Sequence, residues 1–189
     1  MKNRIHVLMV LAAVIGFTLT TGCATTLRKP ESAPQPPTVK FSHFKAVQLK
    51  EVTISPAFAS SGANQKAARK INQLLVSNMR PIFANVQVVP AGTVPEKAAA
   101  RTLLITPIIE EIKFIGGGAR FMVGAMAGSS AVLMKVSYTD AATGDIVATP
   151  EFYRAASAWQ GGQSMGSTDN EMLKLIVQDI CDYSRVNSL

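Results

Sequence analysis

Ala131-Val132-Leu133-Met134-Lys135-Val136-Ser137-Tyr138-Thr139, followed by Asp140-Ala141-Ala142-Thr143-Gly144-Asp145 and then Ile146, is the stretch on which the fold turns. Val132, Met134, Val136 and Tyr138 recur every second residue, with Lys135, Ser137 and Thr139 between them. Successive side chains of a strand point to opposite faces, so this spacing predicts a strand with one apolar side. Gly144 supplies the positive φ that a tight return requires, and the chain is expected to double back into a second strand over residues 146 to about 159. The pair is an antiparallel hairpin. Upstream, residues 102 to 115 are rich in isoleucine and leucine and predict a long strand, in which Pro107 marks a bulge or an edge position.

Helices flank this run. Residues 64 to about 78 place Ala67, Ala68, Ile71, Leu74, Leu75 and Met79 at spacings of three and four, on one helical face, and Pro81 ends or kinks the helix. Near the other end, Thr168-Asp169-Asn170-Glu171 resembles a capping box, its acids suited to the positive end of the helix dipole. Leu173, Ile176, Val177, Ile180 and Cys181 then form a buried stripe. Residues 44 to 54 and 86 to 89 predict further strands, and Thr93-Val94-Pro95-Glu96 opens a short helix through Ala98, Ala99 and Ala100. The order strand, helix, strand, short helix, three strands, helix predicts an α+β domain: a two-layer sandwich of a mostly antiparallel sheet with two main helices.

The amino terminus carries an address. Lys2 and Arg4 precede an apolar stretch from residue 5 to 17, then small polar residues lead to Cys23. This has the three parts of an export signal and is too short to span a bilayer, which takes about 20 residues. Leu19-Thr20-Thr21-Gly22-Cys23 resembles the lipobox of bacterial lipoproteins, although Thr20 stands where leucine is usual. The resemblance implies cleavage after residue 22 and acylation of Cys23, palmitate included, and Ala24 in place of aspartate resembles lipoproteins passed on to the outer membrane. Several acyl chains anchor stably where one does not. The alternative is an ordinary secretory signal. With Cys23 lipidated, Cys181 has no disulfide partner and reads as a small core residue.

Residues 23 to 38 form a lipidated, Pro-rich tether punctuated by Pro30, Pro34, Pro36 and Pro37. An extended chain of this length reaches roughly 45 Å. Residues 39 to 189 then make one periplasm-facing domain. The 189-residue chain is 48% hydrophobic and 16% charged, enough apolar material for a packed core, and no internal repeat is evident. Its formal charge of +7 is unevenly spread. Residues 23 to 101 hold 11 Lys and Arg against 3 acids, whereas residues 102 to 189 hold 6 against 9. Export makes nucleic acid an unsuitable partner for the basic half, which reads as solvation or as affinity for anionic lipid or an acidic protein.

The lipobox, the long apolar strand, the glycine-rich segment with its Arg-Phe pair (Gly116, Gly117, Gly118, Arg120, Phe121, Gly124, Gly128), the strand after it and the Asp140-Ala-Ala-Thr143-Gly144 turn resemble a family of uncharacterised bacterial outer-membrane lipoproteins, a domain of unknown function. The resemblance covers roughly residues 40 to 185 and is strongest from 103 to 147. In element order the chain is also similar to the periplasmic domain shared by the curli secretion channel protein, the amino-terminal part of TolB and the lipoprotein activators of penicillin-binding proteins. Fold pattern alone is a weak warrant for function. Neither likeness implies a catalytic residue or a cofactor.

Chemistry is sparse in the sequence. His6 leaves with the signal, so His43 is the one histidine of the mature chain, and no metal-ligand cluster is expected. Glu110 and Glu111 are adjacent and are expected on opposite strand faces, one solvated and one at an edge. Gly162-Gln163-Ser164-Met165-Gly166 fits the G-x-S-x-G nucleophile elbow, but no histidine follows Ser164 to act as its base. The reading is therefore non-enzymatic, with a serine hydrolase using Ser164 as the poorer alternative. Arg120, Phe121, Met122, Gly124, Met126 and Gly128 are the candidate contact residues: they lie in a segment that is apolar, small and far too short for a spanning helix. Three readings stay open for it: contact with an envelope protein or a second copy, contact with membrane, and a crossing of the domain's own core. The expected function is a binding or assembly module anchored to outer-membrane lipid, or else a subunit of an oligomeric secretion or export complex.

Overall fold

A computed structural model describes residues 27–93, 101–115, 129–156 and 167–189. Seven strands form one mixed sheet: β1 (Ala46–Lys50), β2 (Thr53–Ile54), β3 (Val86–Val89), β4 (Thr102–Lys113), β5 (Ala131–Asp140), β6 (Ile146–Ala148) and β7 (Glu151–Ala155). The path across it is β3-β1-β4-β5-β6, with β2 beside β4 and β7 beside β5. β4 pairs antiparallel with β5 along most of its length, and β5 pairs antiparallel with β6 and β7, whereas β1 and β2 run parallel to their neighbours. This is the mostly antiparallel α+β sandwich that the patterning predicts. Two helices, α1 (Gly62–Met79) and α2 (Ser167–Val186), cover one face.

The strand expected over residues 44 to 54 is two pieces, and so is that expected from 146. Pro107 explains the first break. It pairs with Val136, whose own N–H turns away from β4 to Pro150 O, so the pair is a non-hydrogen-bonded one and the missing proline donor faces the β1–β2 side. β4 is flanked on both sides, but opposite Pro107 its neighbour is interrupted at Glu51 and Val52. The freed Val52 N–H donates instead to Asn72 Oδ1 on α1. Thr149 and Pro150 divide the second strand from within, the proline having no N–H to offer a ladder.

The core lies between the helices and the sheet. Val47, Leu49, Leu103, Ile105, Ile109, Val132, Met134, Val136 and Tyr138 meet Ala67, Ile71, Leu75 and Met79 of α1 and Met172, Leu173, Ile176, Val177 and Ile180 of α2. Each fully buried aliphatic side chain such as Ile71 contributes about 1.5–3 kcal/mol. α1 stops at Met79, as Pro81 requires, and begins at Gly62 without a side-chain cap. The hairpin closes as the sequence predicts: Gly144 sits at φ +83°, its N–H donates to Asp140 O at 2.8 Å, and Asp140 Oδ1 accepts from the Ala142 N–H at 2.9 Å.

Candidate functional site

The Pro-rich segment is extended but not a free spacer. From Leu27 onward it is a strap laid against the domain, which corrects the expectation of a tether reaching away from it. Leu27 is only 5% exposed. Tyr183 of α2 donates its hydroxyl to Gln35 O at 2.8 Å, and Thr38 N–H donates to Val147 O at 2.9 Å, the outer edge of β6. Behind Thr38, Phe41 is fully buried in a short 3-10 turn, stacked on Tyr138 with ring centroids 4.6 Å apart. Prolines suit this course, because an extended chain without those N–H groups covers an open sheet edge without extending the sheet.

The far end of the strap is a clamp. Arg28 donates from both terminal guanidinium nitrogens to Glu151, at 2.7 and 2.8 Å, and to Glu110 at 2.8 Å, while its backbone N–H donates to Glu111 Oε2 at 2.9 Å. Planar guanidinium and carboxylate match in such two-pronged bonds, which are stronger and more directional than neutral ones. Lys29 then lies over the Tyr153 ring, 5.7 Å from its centroid. Adjacent Glu110 and Glu111 both reach Arg28, contrary to the expected opposite faces, because a bulge between Ile109 and Glu111 inserts one extra residue and cancels the alternation. The Arg28 hydrogen bonds hold the Glu151 carboxyl below its ordinary pKa, with Lys135 adding to the effect. Glu151 in turn raises the Arg28 pKa. A groove of about 570 Å³ runs between the strap and the edge strands, lined by Arg28, Gln35, Thr38, Lys135, Val147 and Glu151 among others.

Several other titratable side chains pack within the described fold. Burial pushes the Cys181 thiol up to about 12, so it is a protonated core residue as its place on the α2 stripe predicts. Tyr138 and Ser184 share a buried hydrogen bond of 2.9 Å, and burial raises the Tyr138 hydroxyl above its ordinary pKa despite that bond. Arg154 of β7 pairs with Asp179 of α2, tying sheet to helix. His43 packs edge-on against Phe44 at the surface. Among the described residues no group of three or more His, Cys, Asp or Glu is arranged to hold a metal ion, and no helix is long and apolar enough to cross a membrane.

Cys23, Arg120, Phe121, Met122, Gly124, Met126, Gly128, Ser164 and the helix expected after Thr93 lie outside the described residues. Their flanks do not. Ile115 N–H donates to Ser130 Oγ at 3.0 Å, and Ala156 N–H donates to Ser130 O at 2.7 Å. The glycine-rich segment therefore leaves and re-enters the fold at one end of the sheet, where the segment holding Ser164 also departs. The Arg28 clamp was missed in the sequence. A lone arginine among prolines and a pair of glutamates are its only signal, and without the bulge they do not point to one another.

No protein-family model and no curated protein sequence matches the chain. Among solved structures it is similar to the PelC dodecamer from Paraburkholderia phytofirmans (11% identity, 82% of this chain and 94% of that one, TM-score 0.49). It is also similar to a DUF330 protein from Xanthomonas campestris (6% identity, 86% and 96%, TM-score 0.44) and to the lipoprotein GNA1162 from Neisseria meningitidis (10% identity, 73% and 97%, TM-score 0.34). These structures do not confirm the expected likeness to the curli-channel, TolB and penicillin-binding-protein-activator domains.

Proposed function

We propose that the chain is a lipid-anchored, non-enzymatic binding or assembly module of the bacterial cell envelope, held on the outer membrane through acylated Cys23 and facing the periplasm. The observation that carries this reading is the strap. Residues directly after the lipobox are bound to the sheet through Arg28, so the sequence next to the anchor is part of the folded domain. The partner-contact role falls to Arg120, Phe121, Met122, Gly124, Met126 and Gly128, whose segment starts and ends at Ile115 and Ser130. A photo-crosslinking amino acid at Phe121 or Met126 of the full-length protein tests that role in cells. The account predicts one dominant adduct, with an envelope protein or a second copy, that weakens in the Cys23→Ser variant. Adducts equal to those from an exposed site elsewhere, such as Gln65, would contradict it.

The hydrolase alternative depends on Ser164 alone. A fluorophosphonate probe is expected to leave the protein unlabelled, and labelling lost in Ser164→Ala would make it an enzyme.

A further inference from the structure

We infer that the end of the sheet formed by Lys113, Ala131 and Ala155 faces the phospholipid headgroups, and that the Asp140–Asp145 turn points away from them. This rests on acylation of Cys23 and adds the surface and the distance. Lys113 and Ala155 both pair with Ala131, so the three form one row across β4, β5 and β7. The strap runs towards that row. At Thr38 it bonds Val147, whose strand lies level with Tyr138 and Thr139 of β5. At Arg28 it bonds Glu111 and Glu151, which lie level with Leu133 and Lys135. Followed back towards the anchor, the chain thus descends β5 from its turn end to its Ala131 end.

Length then fixes what the anchor can reach. Leu27 is buried and Arg28 is clamped, so four residue steps separate the fixed strap from Cys23, at most about 14 Å of chain. From the level of Leu133 to the turn at Asp140 is about 23 Å along β5. Fully extended, that chain is long enough to carry the acylated cysteine past the Ala131 end and too short to bring it to the turn. A domain with a free tether would stand roughly 45 Å off the bilayer and tumble; the clamped one lies against it in one pose. The surface that this row of the sheet faces is therefore the lipid to which its own chain is fixed.

Quenching of a fluorophore by lipids with a nitroxide on the headgroup tests the pose. The full-length acylated protein is reconstituted in phosphatidylethanolamine vesicles with the label at Ala155→Cys or at Ala142→Cys, both exposed, while buried Cys181 stays unlabelled. The expected result is quenching at least about threefold stronger at 155 than at 142, with the difference collapsing when Arg28→Ala is added. Equal quenching at the two sites, or stronger quenching at 142, would overturn the pose. A difference that survives Arg28→Ala would overturn the clamp as its cause. Flotation with the vesicles is read separately: a chain that does not float lacks its lipid, and the anchored reading then fails along with the pose.

Discussion

Tyr138 shows how one residue serves two layers at once. Its ring packs against both Phe41 of the strap's root and Tyr183 of α2, which also touch each other, and its hydroxyl meets Ser184. Tyr138→Phe removes only the hydrogen bond, leaving the Ser184 hydroxyl buried, and is expected to cost about 1 kcal/mol in denaturant unfolding. Tyr138→Ala also opens a cavity and should cost about 3–5 kcal/mol. Gly144 is a backbone case: nothing lies within 4 Å of where a Cβ would stand, so Gly144→Ala meets no clash and is expected to cost about 1 kcal/mol, from its φ of +83° alone. Gly144→Asn should cost less, because asparagine tolerates that region. Cys181 is expected to react with a thiol reagent only on unfolding, since its thiol is buried and protonated. Both Gly144 and Cys181 were legible in the sequence, because a turn and a helical stripe each dictate residue type locally.

The strap is the element whose role was not legible. Proline content predicts its extended form, but whether it stands free or docks depends on a bulge 82 residues from Arg28 that no local pattern announces. Pro107 marked the neighbourhood without giving the position: it breaks the adjacent strand, and the bulge falls just after, at Glu110. The clamp also sets a pH dependence. The Glu151 pKa is lowered by Arg28 in the folded state, so its contribution is complete above the ordinary carboxyl value of 4.5 and is lost as pH falls through the lower, folded value. Hydrogen exchange in residues 28 to 38 is expected to accelerate relative to the helices once the pH drops below about 4.5. It should also accelerate at neutral pH in 1 M salt, because the pairs are partly exposed and screened. Exchange in the strap unchanged by acid, by salt and by Arg28→Ala would mean that Thr38, Tyr183 and Phe41 hold it unaided.

At the scale of the whole molecule, the uneven charge along the chain becomes a contact. Arg28, from the basic first half, is met by Glu110, Glu111 and Glu151 from the acidic second half, and the join lies across the sheet rather than along the sequence. The same strap covers the β6 edge, while the helices take the apolar face. Layer order and the two main helices were readable from periodicity. The parallel pairing of β1 with β3 and β4 was not, because a crossover through α1 leaves no mark on strand alternation. The proposed anchor fixes this domain to lipid a few residues before its clamp. The intact mass of the protein extracted from bacterial membranes tests it most directly: the account predicts a chain beginning at Cys23 with diacylglycerol and an amide-linked acyl chain, and an unmodified amino terminus, at Cys23 or at any other residue, would contradict it.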